Sequence, residues 1–175
     1  MLSTGLASAE SVKITILGIC DIYNFEEDNG RGGFARLNAI AKAERAANPN
    51  TLYVFDGDML SPSLLSGFDK GQNTIDLTNL VPFDIAVPGN HEFDLPEPAF
   101  RARLEQSTFG VVTSNVTDVD GAMFPHTESF VVVPVTVGGR TLRIGLIGLT
   151  IEEPRAWVRF APVVESSRAA IAKMQ

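Results

Sequence analysis

The sequence predicts an α/β fold, because apolar segments typical of buried strands alternate with segments of helical periodicity over its first two thirds. Each of the first three predicted strands is followed closely by acidic or amide side chains, at the carboxyl ends where open α/β sheets bind their ligands. Farther along, two β-branched segments flank Gly138 and Gly139, which is the pattern of an antiparallel hairpin. We therefore expect a mixed sheet.

Four strands are predicted in order along the chain. Val12–Ile19 is β-branched and nearly continuous in apolar character, as expected for a strand covered on both faces. The next three strands are Thr51–Phe55, Asp84–Val87 and Gly110–Ser114. Helices are predicted from Phe34 to just before Pro49, and over Asn73–Leu80, Pro96–Gln106 and Val164–Met174. The hairpin strands are Ser129–Val137 and Arg140–Leu149.

Composition limits the class of protein. The chain has 175 residues, of which 45% are hydrophobic and 20% charged, enough for one globular domain with a sizeable core. The formal net charge is −7 and the basic residues form no run, which argues against a nucleic-acid polymer or an anionic membrane as partner. Cys20 is the only cysteine, so neither an intrachain disulfide nor a cysteine zinc cage can form, and we expect it to be a small buried residue. No segment approaches the roughly 20 apolar residues of a membrane span.

Residues 1–9 end in Ala7-Ser8-Ala9, which has the small-x-small form of a signal-peptidase site. No basic region precedes it, and the apolar part is short. Two interpretations stay open, a signal-peptide remnant and a disordered tail. The first predicts a periplasmic or secreted protein, and the second leaves a cytoplasmic location open. Residues 10–175 are assigned to a single domain.

Asp21, Asp58 and Asn90 follow the first three strands. The carboxyl ends of parallel neighbouring strands meet at one edge of a sheet, so we expect these oxygen donors to converge. Such donors suit a hard or borderline divalent cation. Two cations bridged by a carboxylate, about 3.5 to 4 Å apart, can clamp a phosphoryl oxygen and lower the pKa of a shared water. Each aspartate alone would be interpreted as a turn or cap residue, but their repetition at strand ends favours a metal site.

His91 follows Asn90 directly, and Asp94 lies three residues farther on. An imidazole in this place can bind a metal or act as a general acid, and both roles stay open at this point. Asp94 is the expected partner that positions the imidazole proton.

Several blocks occur in a characteristic order along the chain. They are Lys13–Leu17, Asp21, Arg31–Arg36, Asp56–Asp58, Gly89–Asp94, Ser114–Val116 and Arg143–Leu149. Together they resemble the amino-terminal half of the metallophosphatase domain of the 5′-nucleotidase family, in the calcineurin-like phosphoesterase superfamily. The string Gly-Asn-His-Glu-Phe-Asp is the most specific of them, and ordered blocks are far stronger than a lone motif.

The resemblance implies an α/β/β/α sandwich that holds two divalent metal ions, such as Mn or Zn. It implies that Asp21 binds the first metal, Asp58 bridges both and Asn90 binds the second. His91 would stabilise the transition state or protonate the leaving group, and Asp94 would hold His91. The implied activity, within nucleotide catabolism, is hydrolysis of a small phosphorylated substrate, a nucleotide, by attack of a metal-bound hydroxide.

The chain departs from the family pattern in two respects. Tyr23 stands where members usually have a histidine, and a phenol is the weaker ligand, so Tyr23 is either a ligand or an aromatic residue packed or hydrogen bonded beside the site. The family's later histidine ligands, including a Gly-His-x-His motif, and its base-binding domain would follow Gln175. The other histidine, His126, is expected in a surface loop. We therefore expect the amino-terminal portion of a fold incomplete at its carboxyl end, and the alternative function is a partial fragment or binding module without turnover.

Two other enzyme classes share part of these motifs. Leu52–Asp58 resembles the first motif of haloacid dehalogenase-like enzymes, in which Asp56 would attack phosphorus, but the later lysine and acid pair of that class are not evident. His91–Leu95 places a leucine where the second histidine of a zinc protease must stand. Both are disfavoured.

Overall fold

The computed structural model describes residues 11–175, so the segment 1–9 and its predicted signal remnant lie outside the described residues. The strands are β1 Thr15–Ile19, β2 Thr51–Phe55, β3 Ile85–Ala86, β4 Gly110–Val112, β5 Val116–Asp118, β6 Thr127–Glu128, β7 Val131–Val137, β8 Arg140–Leu146 and β9 Val158–Phe160. The helices are α1 Phe34–Ala47, α2 Leu64–Asp69, α3 Gln72–Thr78, α4 Glu97–Gln106 and α5 Val163–Met174, with a 3₁₀ turn at His91–Asp94. Among the described residues, none of these helices has both the length and the apolar character that a bilayer crossing requires.

A five-stranded parallel sheet, in the order β1-β2-β3-β4-β6, forms the centre of the fold and confirms the α/β class. Its register pairs Ile19 with Phe55 and Phe55 with Ala86, so the carboxyl ends of β1, β2 and β3 are adjacent. Antiparallel pairing lies outside this sheet, in β7 with β8 and in β5 with β9, instead of in one mixed sheet. The edge strand β6 is only two residues long, so it offers no ladder that could join the hairpin to the parallel sheet.

Strand β1 is not covered on both faces, and that prediction is wrong. It lies at the edge of the sheet with alternating burial, and its Ile16 side chain is 62% exposed. Leu17 and Ile19 pack against the core from the other face. Cys20, which follows β1, is exposed instead of buried. An edge strand packed on one face accounts for both corrections.

The four predicted helices are present as α1, α3, α4 and α5, with ends close to the predicted ones. Helix α2 was not predicted. It has six residues, its amino terminus is capped by the Ser63 side chain, which accepts a hydrogen bond from Ser66 N, and its Leu64 and Phe68 are 82% exposed. So short a helix, with its apolar residues facing solvent, has no amphipathic pattern to reveal it.

Aromatic packing holds the 3₁₀ turn in place. Phe93, in the middle of the turn, is buried, and its ring centroid lies 5.1 Å from Phe100, 5.7 Å from Trp157 and 5.3 Å from Phe160. Aromatic pairs at these distances stabilise a fold by about 0.5 to 1.5 kcal/mol each beyond their burial. Because Phe93 is anchored, the residues on either side of it are held at the end of β3.

Candidate metal centre at the strand ends

Asp21 and Asp58 lie in the loops that follow β1 and β2, and both have left-handed backbones, with φ of 58° and 69°. Backbone hydrogen bonds join the two loops, from Asp21 N to Gly57 O and from Ile22 N to Asp58 O, each 3.0 Å long. Aspartate tolerates this conformation better than most residues, but it still costs on the order of 1 to 3 kcal/mol. Such strain is concentrated at functional sites, and here both strained aspartates have a carboxylate oxygen within 3.3 Å of the same side-chain hydroxyl, that of Tyr23.

Tyr23 connects the two carboxylates. Its phenol oxygen is 2.8 Å from Asp21 Oδ1 and 3.3 Å from Asp58 Oδ2, and its ring meets the His91 ring edge-on. Burial and the hydrogen bond to Asp21 raise the pKa of Tyr23 far above neutral, so the phenol keeps its proton and donates it. Hydrogen bonds from Cys20 and Tyr23 lower the pKa of Asp21. The structure thus places Tyr23 as a hydrogen-bonded neighbour of the site.

Two glycines let the loops after β2 and β3 touch through their backbones. Gly57 has a φ of 103°, and a Cβ there would lie 2.6 Å from the Cα of Gly89. A Cβ at Gly89 would overlap the Asp58 carboxylate. A side chain at Gly57 would therefore push the backbone of Gly89 away, and a side chain at Gly89 would displace Asp58 itself.

Gly89→Ala is therefore expected to displace the Asp58 carboxylate and to weaken metal binding by about 10-fold or more, as changes next to metal ligands commonly do. Titration with Mn²⁺ by calorimetry measures the change. The matched control is Gly67→Ala, in α2, where an added Cβ meets nothing within 4 Å. Equal Mn²⁺ affinity in the two variants would contradict the prediction.

Glu92 is the central structural residue of the site, and the sequence analysis missed it. Its side chain is 2% exposed and accepts four backbone N–H groups, from Asp58 (2.8 Å), Met59 (2.7 Å), Leu60 (2.9 Å) and Gly89 (2.6 Å). Burial raises the pKa of Glu92, and the backbone hydrogen bonds act in the opposite direction. No local pattern marks this residue, because most of its partners are backbone groups in the loop after β2.

His91 and Asp94 form a pair on the side of the 3₁₀ turn opposite to the buried residues. His91 Nδ1 and Asp94 Oδ2 are 2.7 Å apart, as expected for side chains three residues apart in a 3₁₀ turn. The hydrogen bond to Asp94 raises the pKa of His91. Burial alone would raise the pKa of Asp94, but hydrogen bonds from His91, Arg155 and Ser61 outweigh it and lower that pKa. The backbone N–H of His91 also donates to Asp58 Oδ1 (3.0 Å), which connects this pair to the aspartates.

Asn90 directly precedes His91 in the chain, but its side chain hydrogen bonds to Glu153 and to none of the residues named above. The amide nitrogen donates to Glu153 Oε2 at 2.7 Å. Because the nitrogen is engaged, Oδ1 is the atom of Asn90 that stays available to a cation. Glu153 and the neighbouring Arg155 are further site residues that the sequence analysis did not identify.

Asp21 and Asp58 both lie within 3.3 Å of the Tyr23 phenol oxygen, and the His91–Asp94 pair lies beside them. Within residues 11–175, no group of three or more histidine, cysteine, aspartate or glutamate side chains is arranged to hold a metal ion. The candidate donor set is instead two carboxylates and one amide oxygen, which fits a hard or borderline divalent cation. His126 lies exposed in the loop before β6, as predicted.

A cleft of about 710 Å³ opens beside the candidate centre. Asp21, Tyr23, Arg31 and Arg36 are among the residues that line it. Arg36 is paired with Glu27 at 2.5 Å. The cleft gives a small molecule access to Asp21.

A parallel sheet with strand-end carboxylates and a histidine–aspartate pair defines the class of this protein as an α/β domain of the metallophosphatase type. The chain belongs to the calcineurin-like phosphoesterase family, whose model matches residues 14–150. This confirms the family resemblance found in the sequence.

Known proteins similar to the chain include a 2′,3′-cyclic-nucleotide 2′-phosphodiesterase/3′-nucleotidase of Haemophilus influenzae, 25% identical over 83% of this chain and 25% of that protein. A human 5′-nucleotidase is 26% identical over 83% of this chain and 28% of its own length. The chain thus spans little more than a quarter of these curated relatives. Among solved structures, the NAD nucleotidase of Haemophilus influenzae matches the fold with a TM-score of 0.78 and 23% identity, covering 93% of this chain and 36% of that one.

Proposed function

We propose that this chain hydrolyses phosphate esters of nucleotides in a reaction that depends on divalent metal ions. The observation that carries the proposal is the meeting of Asp21 and Asp58 at adjacent strand ends, within 3.3 Å of one phenol oxygen. Two carboxylates this close repel a phosphate unless cations neutralise them. The names of the nucleotidase relatives support a nucleotide as the substrate class.

Asp21, Asp58 and the Oδ1 atom of Asn90 would hold two divalent cations, of the Mn²⁺ or Zn²⁺ type. When bound, such ions act as Lewis acids toward a phosphoryl oxygen and lower the pKa of water. Asp58, the middle member of the three, would be shared by both ions.

His91 supplies the proton-transfer group. Its Nδ1 faces Asp94 Oδ2 at 2.7 Å, which leaves Nε2 to face the substrate. Asp94 stabilises the protonated imidazole, so Nε2 can donate a proton to the departing ester oxygen. The cleft beside Asp21 and Tyr23 would take the leaving group.

The test is hydrolysis of AMP and p-nitrophenyl phosphate by the chain with added Mn²⁺. We expect turnover that EDTA removes and that fresh Mn²⁺ restores. His91→Ala should lower kcat by about 10² to 10⁴-fold, the usual contribution of a general acid. His126→Ala, at an exposed histidine outside the site, is the matched control. Turnover that EDTA leaves unchanged would refute the proposal.

A binding module without turnover is the second candidate, and Tyr23 is the observation that favours it. The phenol contacts both carboxylates, in the place where the family usually has a histidine. This candidate predicts Mn²⁺ binding with no hydrolysis of either ester, and hydrolysis that appears in Tyr23→His. Robust turnover by the unaltered chain would remove it.

A periplasmic or secreted location stays a prediction, because it depends on residues 1–9.

A further inference from the structure

Arg155 and Glu153 lie in the loop between β8 and β9, and neither has a role in the function proposed above. Arg155 Nη2 is 2.6 Å from Asp94 Oδ1 and 2.6 Å from Glu153 Oε1, and Arg155 Nε donates to the carbonyl of Phe93 at 3.2 Å. One guanidinium therefore holds the carboxylate that orients His91 and, at the same time, a second carboxylate.

The second carboxylate continues the contact to the candidate metal ligand. Glu153 uses Oε1 for Arg155 and Oε2 for the amide nitrogen of Asn90, at 2.7 Å. An unbroken series of contacts thus runs from His91 through Asp94, Arg155 and Glu153 to Asn90. Glu153 thus accepts a hydrogen bond at each of its two carboxylate oxygens.

We infer that Arg155 and Glu153 are positioning residues, which together fix the orientation of the His91 imidazole relative to the Asn90 amide oxygen. The inference rests on the proposed function and deepens it. Arg155 fixes the plane of the Asp94 carboxylate, so that Oδ2 faces the imidazole. Glu153 takes the amide nitrogen of Asn90, so that Oδ1 is the atom presented to a cation. Charge-assisted hydrogen bonds of this length are directional enough for both tasks.

A second arginine in the chain provides a matched control. Arg101 also links two carboxylates, at 2.8 Å from Glu97 and 3.3 Å from Asp118. Its side chain is 32% exposed and that of Arg155 is 28% exposed, so the two ion-pair clusters are similarly open to solvent. Arg101 packs over Phe124 and touches neither His91 nor Asn90 in the described contacts. If Arg155 contributed only to the stability of the fold, its loss and the loss of Arg101 should have similar effects on the protein.

The experiment compares Arg155→Gln, Glu153→Ala and Arg101→Gln by three measurements: the urea midpoint, Mn²⁺ affinity by calorimetry, and kcat with AMP and with p-nitrophenyl phosphate. We expect Arg155→Gln to lower kcat for AMP by about 10 to 100-fold with little change in KM, the usual size of effect when a residue that hydrogen bonds to a site carboxylate is lost. Its effect on p-nitrophenyl phosphate should be smaller, because nitrophenolate leaves without a proton. Glu153→Ala should weaken Mn²⁺ binding by about 10-fold or more. Arg155→Lys and Glu153→Gln should restore part of each loss.

The double variant Arg155→Gln/Glu153→Ala should lose no more than the worse single variant, since residues that act as a unit are not additive. The inference is overturned if Arg155→Gln and Glu153→Ala match Arg101→Gln in Mn²⁺ affinity and in the ratio of the two kcat values. In that case normal turnover by the unaltered chain leaves the proposed function standing. If the unaltered chain neither binds Mn²⁺ nor hydrolyses either ester, the proposed function fails and this inference fails with it.

Discussion

Asp58→Asn is expected to abolish both Mn²⁺ binding and ester hydrolysis. The carboxylate lies between Asp21 and the loop after β3, in the place that both proposed cations would share. The substitution removes a negatively charged ligand. Because mutation of residues that only contact metal ligands already lowers metal affinity by about 10 to 100-fold, loss of the ligand itself should lower Mn²⁺ affinity by more than about 100-fold. Asparagine keeps an oxygen that can accept the His91 backbone N–H, so the fold should be retained. Calorimetry and the AMP assay measure the two losses.

Asp56→Asn is the matched control, two residues earlier in the same Asp-Gly-Asp turn. Asp56 is exposed at the end of β2, and Asp58 is partly buried at the site. The metal-dependent proposal expects Asp56→Asn to bind Mn²⁺ like the unaltered chain. A haloacid dehalogenase-like mechanism, in which Asp56 is the nucleophile, expects the reverse order of effects on kcat. Unchanged Mn²⁺ affinity in Asp58→Asn would contradict the assignment of this site.

Glu92→Ala is expected to destabilise the protein by about 4 kcal/mol or more, an exceptional loss for a single substitution. Four backbone N–H groups donate to this carboxylate, two of them in fully buried hydrogen bonds and two in partly buried ones, and a buried donor left unpaired costs about 1 to 3 kcal/mol. The loop that carries Asp58 would lose its attachment to Gly89. Urea denaturation measures the free energy of unfolding. The stability of Glu92→Gln should lie between that of the unaltered chain and that of Glu92→Ala, since glutamine keeps one oxygen acceptor.

Glu97→Ala provides the comparison for Glu92→Ala. Glu97 is a helix residue whose side chain is about one third exposed and pairs with Arg101, so its removal should cost no more than about 1 kcal/mol. Similar losses for the two variants would mean that the buried carboxylate does not anchor the strand-end loops.

Much of the fold could be predicted because its pattern is local. Thr51–Phe55 is a buried strand in both the sequence and the structure, and the hairpin about Gly138 and Gly139 pairs as its glycines indicate. The exposure of β1 could not be predicted, because an edge strand with one covered face can carry the same apolar letters as a central one. Helix α2 is too short for any periodicity to show.

The sequence by itself determined the α/β class, the family and the placing of Asp21, Asp58 and Asn90 near strand ends, because parallel strands deliver their ends to one edge. Only the tertiary structure decided that Glu92 collects backbone donors from another loop, and that Arg155 joins Asp94 to Glu153. These contacts join segments that are far apart in the chain, and those of Glu92 are made to backbone atoms that every residue possesses. Neither kind of contact produces a pattern in the local sequence.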